Sequence, residues 1–239
     1  MAAAGFWGFL AASSLILGAL VAITGRLQGR ALALTIGFGV GALVSAVAYD
    51  LFEEAVRASA TGASVAAGFV AGAVTFYVGD ELIERMDRRS GKDADGGDGL
   101  PILLGAVLDG IPESIVLGLS LVGASAPSLA VLVAVFISNV PESVTASTKM
   151  LEHGRSRSWV IGIWFAVALA SGLSAALGFA LLANAPGDFV AFVDAFAAGA
   201  ILTLLADDLL PEAHGESDKL VGLMTAAGFA VAAFLTFTE

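Results

Sequence analysis

Cysteine is absent from the 239-residue chain, and histidine occurs only twice. A sequence without cysteine has no disulfide framework and no thiolate metal site, so any metal ligands must be oxygen atoms or the two histidines. Basic residues are also few: 11 lysines and arginines stand against 22 acidic residues, and the net charge is −11. This balance argues against nucleic acid as a partner.

Charged residues of both signs make up only 14% of the chain, whereas 58% of it is hydrophobic and the mean hydropathy is +0.90. These values lie outside the range of an ordinary soluble domain and indicate an all-α polytopic membrane protein embedded in a lipid bilayer. A helix needs roughly 20 apolar residues to cross the hydrocarbon core. Eight runs of this kind are predicted, near residues 6–24, 31–52, 62–80, 100–124, 127–148, 158–183, 189–210 and 219–237.

The connections between these runs are short, with one exception. Residues 85–99 are rich in Asp, Gly, Arg and Ser, a composition that cannot bury a core and predicts a flexible loop. We interpret the chain as one transmembrane domain over residues 1–239. Its parts are a first repeat at about 1–84, the loop, a central helix pair at 100–150 and a second repeat at about 157–239. The N-terminus has no basic residues before its apolar run, so the first run is expected to be a retained span and not a cleaved signal peptide.

The distribution of basic residues predicts the orientation, because such residues are retained on the cytoplasmic side. If the N-terminus is extracytoplasmic, Arg57 is the only basic residue in an external loop. The others fall in cytoplasmic loops: Arg26, Arg30, Arg85, Arg88, Arg89, Lys92, Lys149, Arg155, Arg157 and Lys219. Both termini are therefore predicted to be extracytoplasmic, in the cell membrane.

An internal repeat appears when the second span is laid on the seventh. Residues 41–55 match residues 199–213 at a constant offset, with Asp50 on Asp208 and Glu54 on Glu212. Since these two spans run in opposite directions in the predicted topology, spans one to three and six to eight form inverted repeats around the central pair, a 3+2+3 arrangement found in secondary transporters. Small residues at Gly37, Gly39 and Gly41 predict a close helix contact, and a homodimer is a possible use of it.

A second repeat, eight residues long and recurring after 29 residues, places carboxylates and prolines inside the fourth and fifth spans. Residues 108–115 (Leu-Asp-Gly-Ile-Pro-Glu-Ser-Ile) match residues 137–144 (Ile-Ser-Asn-Val-Pro-Glu-Ser-Val). Acids near a bilayer centre are costly unless they face protein, water or a cation, so they mark a functional site by default. Helical spacing places the oxygen ligands on shared faces, and a divalent cation would suit them; the predicted metal ligands are Asp109, Glu113, Ser138, Asn139 and Glu142.

Each motif proline also frees a backbone carbonyl, that of Leu108 or Ile137, which a cation could pair. Without a cation the clustered carboxylates would repel, so metal binding and proton release are expected to be linked. The alternative interpretation is a kinked helix in which a neutral Glu hydrogen-bonds a neighbouring Ser. A kinked helix of this kind accounts for one Pro-Glu motif, but it accounts poorly for two such motifs at matching depths in two spans.

Further acids lie near the ends of the second and seventh spans, where they could concentrate cations at each entrance. The candidate pathway residues are Asp50, Glu54, Asp208, Glu212 and His214. Glu53 and Asp207 are interpreted as solvated interface residues, and His153 as a structural loop residue. For His214 the sequence leaves both a ligand and a solvated loop residue open.

The paired Pro-Glu motifs and the stretch 197–214 resemble the ZIP (Zrt-, Irt-like) family of divalent metal transporters. The resemblance implies eight spans in a 3+2+3 arrangement, both termini outside, and uptake of Zn, Fe, Mn or Cd-class ions toward the cytoplasm by alternating access through a two-metal centre. The family's motif His is replaced here by Asp109 and Ser138, the first motif Asn by Gly110, and the Gly after each motif Glu by Ser114 or Ser143. The sixth span has no acid, and residues 85–99 have no His cluster.

The predicted function is transport of a divalent metal as substrate, with no organic cofactor and no enzymatic activity. A non-transporting metal sensor or scaffold is the alternative that the missing motif His and sixth-span acid leave open. An intramembrane metalloprotease is disfavoured, because the chain has no His-Glu-x-x-His motif and catalytic zinc is normally held by His or Cys.

Overall fold

The computed structural model describes residues 1–90, 104–105, 108, 110, 113–115, 117–121, 127–215 and 219–238. Within these ranges the chain is all-helical, without a strand. The long helices are α1 (Ala2–Thr24), α2 (Gly29–Ala58), α3 (Ala63–Ser90), α4 (Leu129–Glu152), α5 (Arg157–Leu182), α6 (Gly187–His214) and α7 (Leu220–Thr236). Between α3 and α4, the described residues from 104 to 119 are helical as well; we call residues 104–121 the central segment.

Six of these helices, α1 to α6, are long and apolar enough to cross a membrane. Helix α7 is apolar but has 17 residues, slightly fewer than a full crossing requires. The prediction of a polytopic all-α membrane protein is thus confirmed in its coarse form. The count of eight spans stays a prediction, because much of the fourth one lies outside the described residues.

Several helices extend beyond their predicted ends. Helix α2 continues to Ala58 instead of residue 52, and α6 continues to His214 instead of residue 210. Helix α3 continues to Ser90, so residues 85–90 are helical and the prediction of a loop was wrong there; residues 91–99 lie outside the described range. The reason is local pairing: the Nε of Arg85 donates a hydrogen bond to Glu81 Oε1 at 2.7 Å, one helical turn earlier, and such pairs extend a helix into polar sequence.

Helices α2 and α6 share an irregularity at matching positions. Each contains a π-helical turn, at Val47–Phe52 in α2 and at Leu205–Leu209 in α6. A π turn holds an extra residue and is often found at functional sites, since it reorients the side chains that follow. Asp50 and Asp208, the acids matched by the sequence repeat, both lie in these turns.

The two repeats also pack alike. Helix α2 packs on α7 so closely that a Cβ on Gly41 would lie 1.8 Å from the Thr225 carbonyl oxygen. Helix α6 packs on α3 in the same way, and a Cβ on Gly199 would lie 2.1 Å from the carbonyl oxygen of Phe69. Only glycine permits backbones to approach this closely. The reciprocal contacts match too, because Cβ atoms on Gly228 of α7 and Gly72 of α3 would each lie 1.9 Å from the carbonyl oxygen of a phenylalanine, Phe38 or Phe196.

The α2 glycines that were predicted to form a close helix contact form it with other helices of the same chain. Gly37 and Gly41 face α7, and Gly39 faces Ser138 of α4. The predicted close helix contact is confirmed as an intramolecular one, and a dimer would need a different surface. Helix α1 packs on α4 and α5 by the same means: a Cβ on Gly18 would lie 1.9 Å from Ser143 Oγ.

Candidate metal site and its approach cavity

The central segment and α4 bring three of the predicted ligands together. Glu113, Asn139 and Glu142 line one small cavity of about 10 Å³, roughly the room for a single water-sized sphere. Glu113 is 4% exposed and Asn139 is 3% exposed, so both side chains are withdrawn from solvent. The remaining walls come from apolar and small residues of α1, α4, α5 and the central segment: Gly8, Ala11, Ala12, Leu15, Gly110, Ser114, Leu117, Val135 and Ser171.

Asn139 places an amide beside the two carboxylates of the cavity. Its backbone carbonyl accepts a hydrogen bond from Ser143 Oγ at 2.7 Å, and the residue lines the cavity while only 3% exposed. A cation or its bound water between Asn139, Glu113 and Glu142 would be held by amide and carboxylate oxygens and would offset the like charges of the two carboxylates.

The two serines that follow the motif glutamates behave alike. Ser114 Oγ donates to the Gly110 carbonyl at 2.6 Å, and Ser143 Oγ donates to the Asn139 carbonyl at 2.7 Å. Each hydroxyl thus bonds the backbone one turn earlier and is not available as a donor to the cavity. The repeat of the Pro-Glu motif therefore extends to side-chain hydrogen bonding.

Two predicted ligands are not brought into this cavity by the described residues. Ser138 is 2% exposed, donates to the Val135 carbonyl at 3.0 Å and lies against Gly39 of α2. Asp109 lies outside the described residues. In the part of the chain that is described, no three acidic or histidine side chains gather closely enough to hold an ion, so the cavity offers two carboxylates and one amide.

A second, much larger cavity of about 520 Å³ adjoins the first. It lies between α3, the C-terminal half of α4, and α6, and it is lined by Asp80, Gly105, Glu142, Thr145, Ala146, Lys149, Leu204, Asp207, Asp208, Leu209 and Glu212. Glu142 lines both cavities. This one carboxylate therefore connects a buried polar site to a wide acidic approach, which we call the acidic cavity.

The charges of the acidic cavity are mostly of one sign. Asp208 has Asp80, Asp207, Glu84 and Glu212 as charged neighbours, and Glu212 accepts a hydrogen bond from Thr145 Oγ1 at 2.5 Å. Lys149 is exposed at the rim. A wall with this charge excess raises the local concentration of cations.

The residues predicted to act in the seventh span have different surroundings in the structure. Asp208 and Glu212 line the acidic cavity as cation-concentrating residues should, whereas His214 is exposed, with Nδ1 2.9 Å from the Leu210 carbonyl. Sequence reasoning did not select Asp80 or Thr145 and treated Asp207 as a solvated interface residue. The only sequence feature that could have indicated Asp80 is its acidic side chain at the end of the apolar third run.

Near the N-terminal end of α4, Asp50 forms hydrogen bonds between helices. Its Oδ1 accepts a hydrogen bond from Ser128 Oγ at 3.0 Å, and its Oδ2 accepts one from Thr236 Oγ1 at 3.2 Å. Ser128 caps the N-terminus of α4, and Thr236 is the last residue of α7. Asp50 of α2 therefore links the N-terminal end of α4 to the C-terminal end of α7. Glu54, one turn further along α2, is exposed and has the buried Asp194 of α6 as a charged neighbour.

The chain is 27% identical, over 187 residues and 76% of its length, to a protein of Arabidopsis thaliana named "Putative zinc transporter". The matched region covers 30% of that relative. No protein-family model matches the chain. The relative's name is that of a metal transporter and not of an enzyme, in agreement with a multi-pass membrane protein concerned with metal ions.

Proposed function

We propose that this protein transports a divalent metal cation across the membrane, in the manner of ZIP-like transporters, through the site formed by Glu113, Asn139 and Glu142. The observation that carries the proposal is the position of Glu142, whose side chain lines both the buried cavity and the acidic cavity. A cation held by Glu142 can pass between the two without crossing apolar surface. The zinc transporter relative supports the same substrate class.

The ligands proposed for the metal are Glu113, Asn139 and Glu142, completed by Asp109. Carboxylate and amide oxygens suit hard and borderline divalent ions. Ser138 can join this ligand set only if its hydroxyl leaves the Val135 carbonyl, to which it donates in this structure. Asp208 and Glu212 are proposed to guide ions toward Glu142, since they line the same cavity.

Alternating access is the mechanism we propose, built on inverted repeats in a 3+2+3 arrangement. The support is the matched packing of α2 on α7 and of α6 on α3, together with the matched π turns. In this conformation the acidic cavity opens at the C-terminal end of α4, while Asp50 joins helices at its N-terminal end. The distribution of basic residues predicts that the acidic cavity faces the cytoplasm. Uptake toward the cytoplasm is the direction that the resemblance to the ZIP family implies, and we propose it here.

The test is metal flux into proteoliposomes loaded with a fluorescent zinc indicator, with the protein and its Glu142→Gln variant. Loss of the Glu142 carboxylate from the proposed ligand set should reduce flux roughly tenfold, which corresponds to about 1.4 kcal/mol, and calorimetry in detergent should show the same loss of zinc binding. Glu152→Gln is the matched control, because Glu152 lies on the same helix but is exposed. Zinc binding without flux in the unmodified protein would favour the sensor or scaffold; equal flux in both variants would refute the site.

A further inference from the structure

The equivalent aspartates of the two repeats have opposite partners. Asp50 accepts a hydrogen bond from Thr236, the last residue of α7. The glycine contacts relate α7 to α3 at a constant offset, with Gly228 matching Gly72 and Thr225 matching Phe69. The same offset places Asp80 of α3 at the position of Thr236. Asp208 and Asp80 are charged neighbours on the wall of the acidic cavity.

We propose that Asp50, Ser128 and Thr236 form a latch that keeps the Asp50 end of the protein closed, and that Asp80 prevents the same latch from forming at the Asp208 end. A carboxylate and a hydroxyl share a hydrogen bond, and charge-assisted bonds of this kind are stronger than neutral ones. Two ionised carboxylates have no donor between them, and they repel each other unless one of them takes up a proton. The two repeats therefore share the same backbone arrangement, but the protein is closed at the Asp50 end and open at the Asp208 end.

The geometry of the latch explains why it would control access. Ser128 precedes α4, which carries Asn139 and Glu142, and its Oγ also accepts a hydrogen bond from the Val131 backbone amide at 3.3 Å. Asp50 belongs to the π turn of α2, and Thr236 ends α7. Separation of α4 from α2 must break the hydrogen bond from Ser128 to Asp50, and the hydrogen bond from Thr236, made within the α2 and α7 pair, holds the Asp50 carboxylate in position to accept it. The latch thus opposes the movement that would expose the Glu113 cavity at this end.

The absence of cysteine from the sequence permits a direct test by thiol reactivity in detergent, where both ends are accessible to reagent. Val135→Cys reports on the buried cavity, because Val135 lines it and is 4% exposed. Ala146→Cys reports on the acidic cavity. Each reporter is combined with the latch variant Thr236→Val, which keeps the side-chain shape but removes the hydroxyl.

We expect Thr236→Val to raise the reaction rate of the Val135→Cys thiol with a bulky maleimide roughly tenfold, which corresponds to about 1.4 kcal/mol. Asp50→Ala should do the same, whereas Thr236→Ser, which keeps a hydroxyl, should leave the rate near its original value. Glu53→Ala is the control at the same end of α2, because Glu53 pairs with Arg57 and not with α4 or α7. An unchanged rate in Thr236→Val, or an equal rise in Glu53→Ala, would overturn the latch.

The second half of the proposal is tested at the other end. Asp80→Thr supplies Asp208 with the donor that Asp50 has, and it should lower the reactivity of the Ala146→Cys thiol several-fold by favouring closure. Asp80→Val has nearly the same shape without the donor, so a hydrogen-bonded latch requires a larger effect from Thr than from Val. Equal effects of the two variants would overturn this half.

The latch rests on the proposed alternating access, but its test does not depend on transport. If the thiol rates change as expected and no metal flux is found, the latch stands and the transport function fails. If flux is found and the thiol rates do not change, transport stands and the latch fails. Size-exclusion profiles of every variant exclude misfolding as the cause of a raised rate, and Thr236→Val, at a half-buried helix end, carries the test if Asp50→Ala does not fold.

Discussion

The glycine contacts between helices allow a quantitative test of how the two repeats are held together. We expect Gly41→Ala in α2 and Gly199→Ala in α6 to destabilise the protein by similar amounts. In each case the added methyl would lie close to a backbone carbonyl oxygen, at 1.8 Å from that of Thr225 and at 2.1 Å from that of Phe69. A backbone oxygen cannot rotate away as a side chain can, so the helices must move apart.

The magnitude follows from two opposing terms. Alanine is favoured over glycine inside a helix by about 1 kcal/mol. Overpacking of a well-packed contact costs about 1–3 kcal/mol, and a clash with backbone belongs at the upper end of that range. The net loss is then about 2 kcal/mol, which corresponds to a fall in apparent Tm of about 4–8 °C for a chain of this size. The measurement is thermal unfolding in detergent, followed by circular dichroism.

Gly162→Ala provides the matched control. Gly162 lies within α5, and a Cβ there would meet nothing within 4 Å, so only the helix preference remains and the Tm should be unchanged or slightly raised. If Gly41→Ala were as stable as Gly162→Ala, the close contact between α2 and α7 would be refuted. If Gly199→Ala were neutral while Gly41→Ala was not, the equivalence of the two repeats would be refuted instead.

Two further predictions concern the metal and the orientation. Asp109→His should raise the ratio of zinc to manganese affinity roughly tenfold, because imidazole favours zinc over harder ions, and a tenfold change equals about 1.4 kcal/mol; competition titrations measure it, and an unchanged ratio would show that Asp109 does not contact the ion. For the orientation, Glu54→Cys should react with an impermeant reagent from outside intact cells, and Asp207→Cys only after the membrane is opened. Both positions are exposed, and labelling of both from the same side would contradict the predicted topology.

The sequence was sufficient to select Glu113, Asn139 and Glu142, which line one buried cavity, because residues of these types are costly inside a membrane span and here belong to repeated motifs. Acids and prolines are rare inside apolar runs, so Glu113 and Glu142 were conspicuous, and Asn139 lies one turn before Glu142. Spacing could not show where a small hydroxyl would bond. Ser138 has the same helical spacing as a ligand would, but its hydroxyl bonds the Val135 carbonyl and its Cβ lies against Gly39.

Asp80 could not be matched to Thr236 from the sequence, because the third and eighth spans have little sequence similarity. When the third span is laid on the eighth so that Gly72 matches Gly228, residues 69–80 and 225–236 share only that glycine and the alanine before it. The equivalence of the helices is carried by backbone contact, which requires a small residue at one point and tolerates almost any apolar residue elsewhere. The partner of each π-turn aspartate therefore became visible only once the helices were packed.

In the proposed mechanism, the difference between the partners of Asp50 and Asp208 decides which conformation the protein prefers. Two inverted repeats of identical sequence would make the two access states equal in energy, and neither end would be favoured. A carboxylate that accepts from Thr236 stabilises closure at one end, while the Asp80 and Asp208 pair disfavours closure at the other. A ligand that moves such an equilibrium must bind the two states with different affinity. A divalent cation satisfies this requirement, because it would neutralise the carboxylates of Asp80 and Asp208, whereas it has no comparable role between Asp50 and the Thr236 hydroxyl. The transported ion would then also be the ligand that shifts the conformational equilibrium.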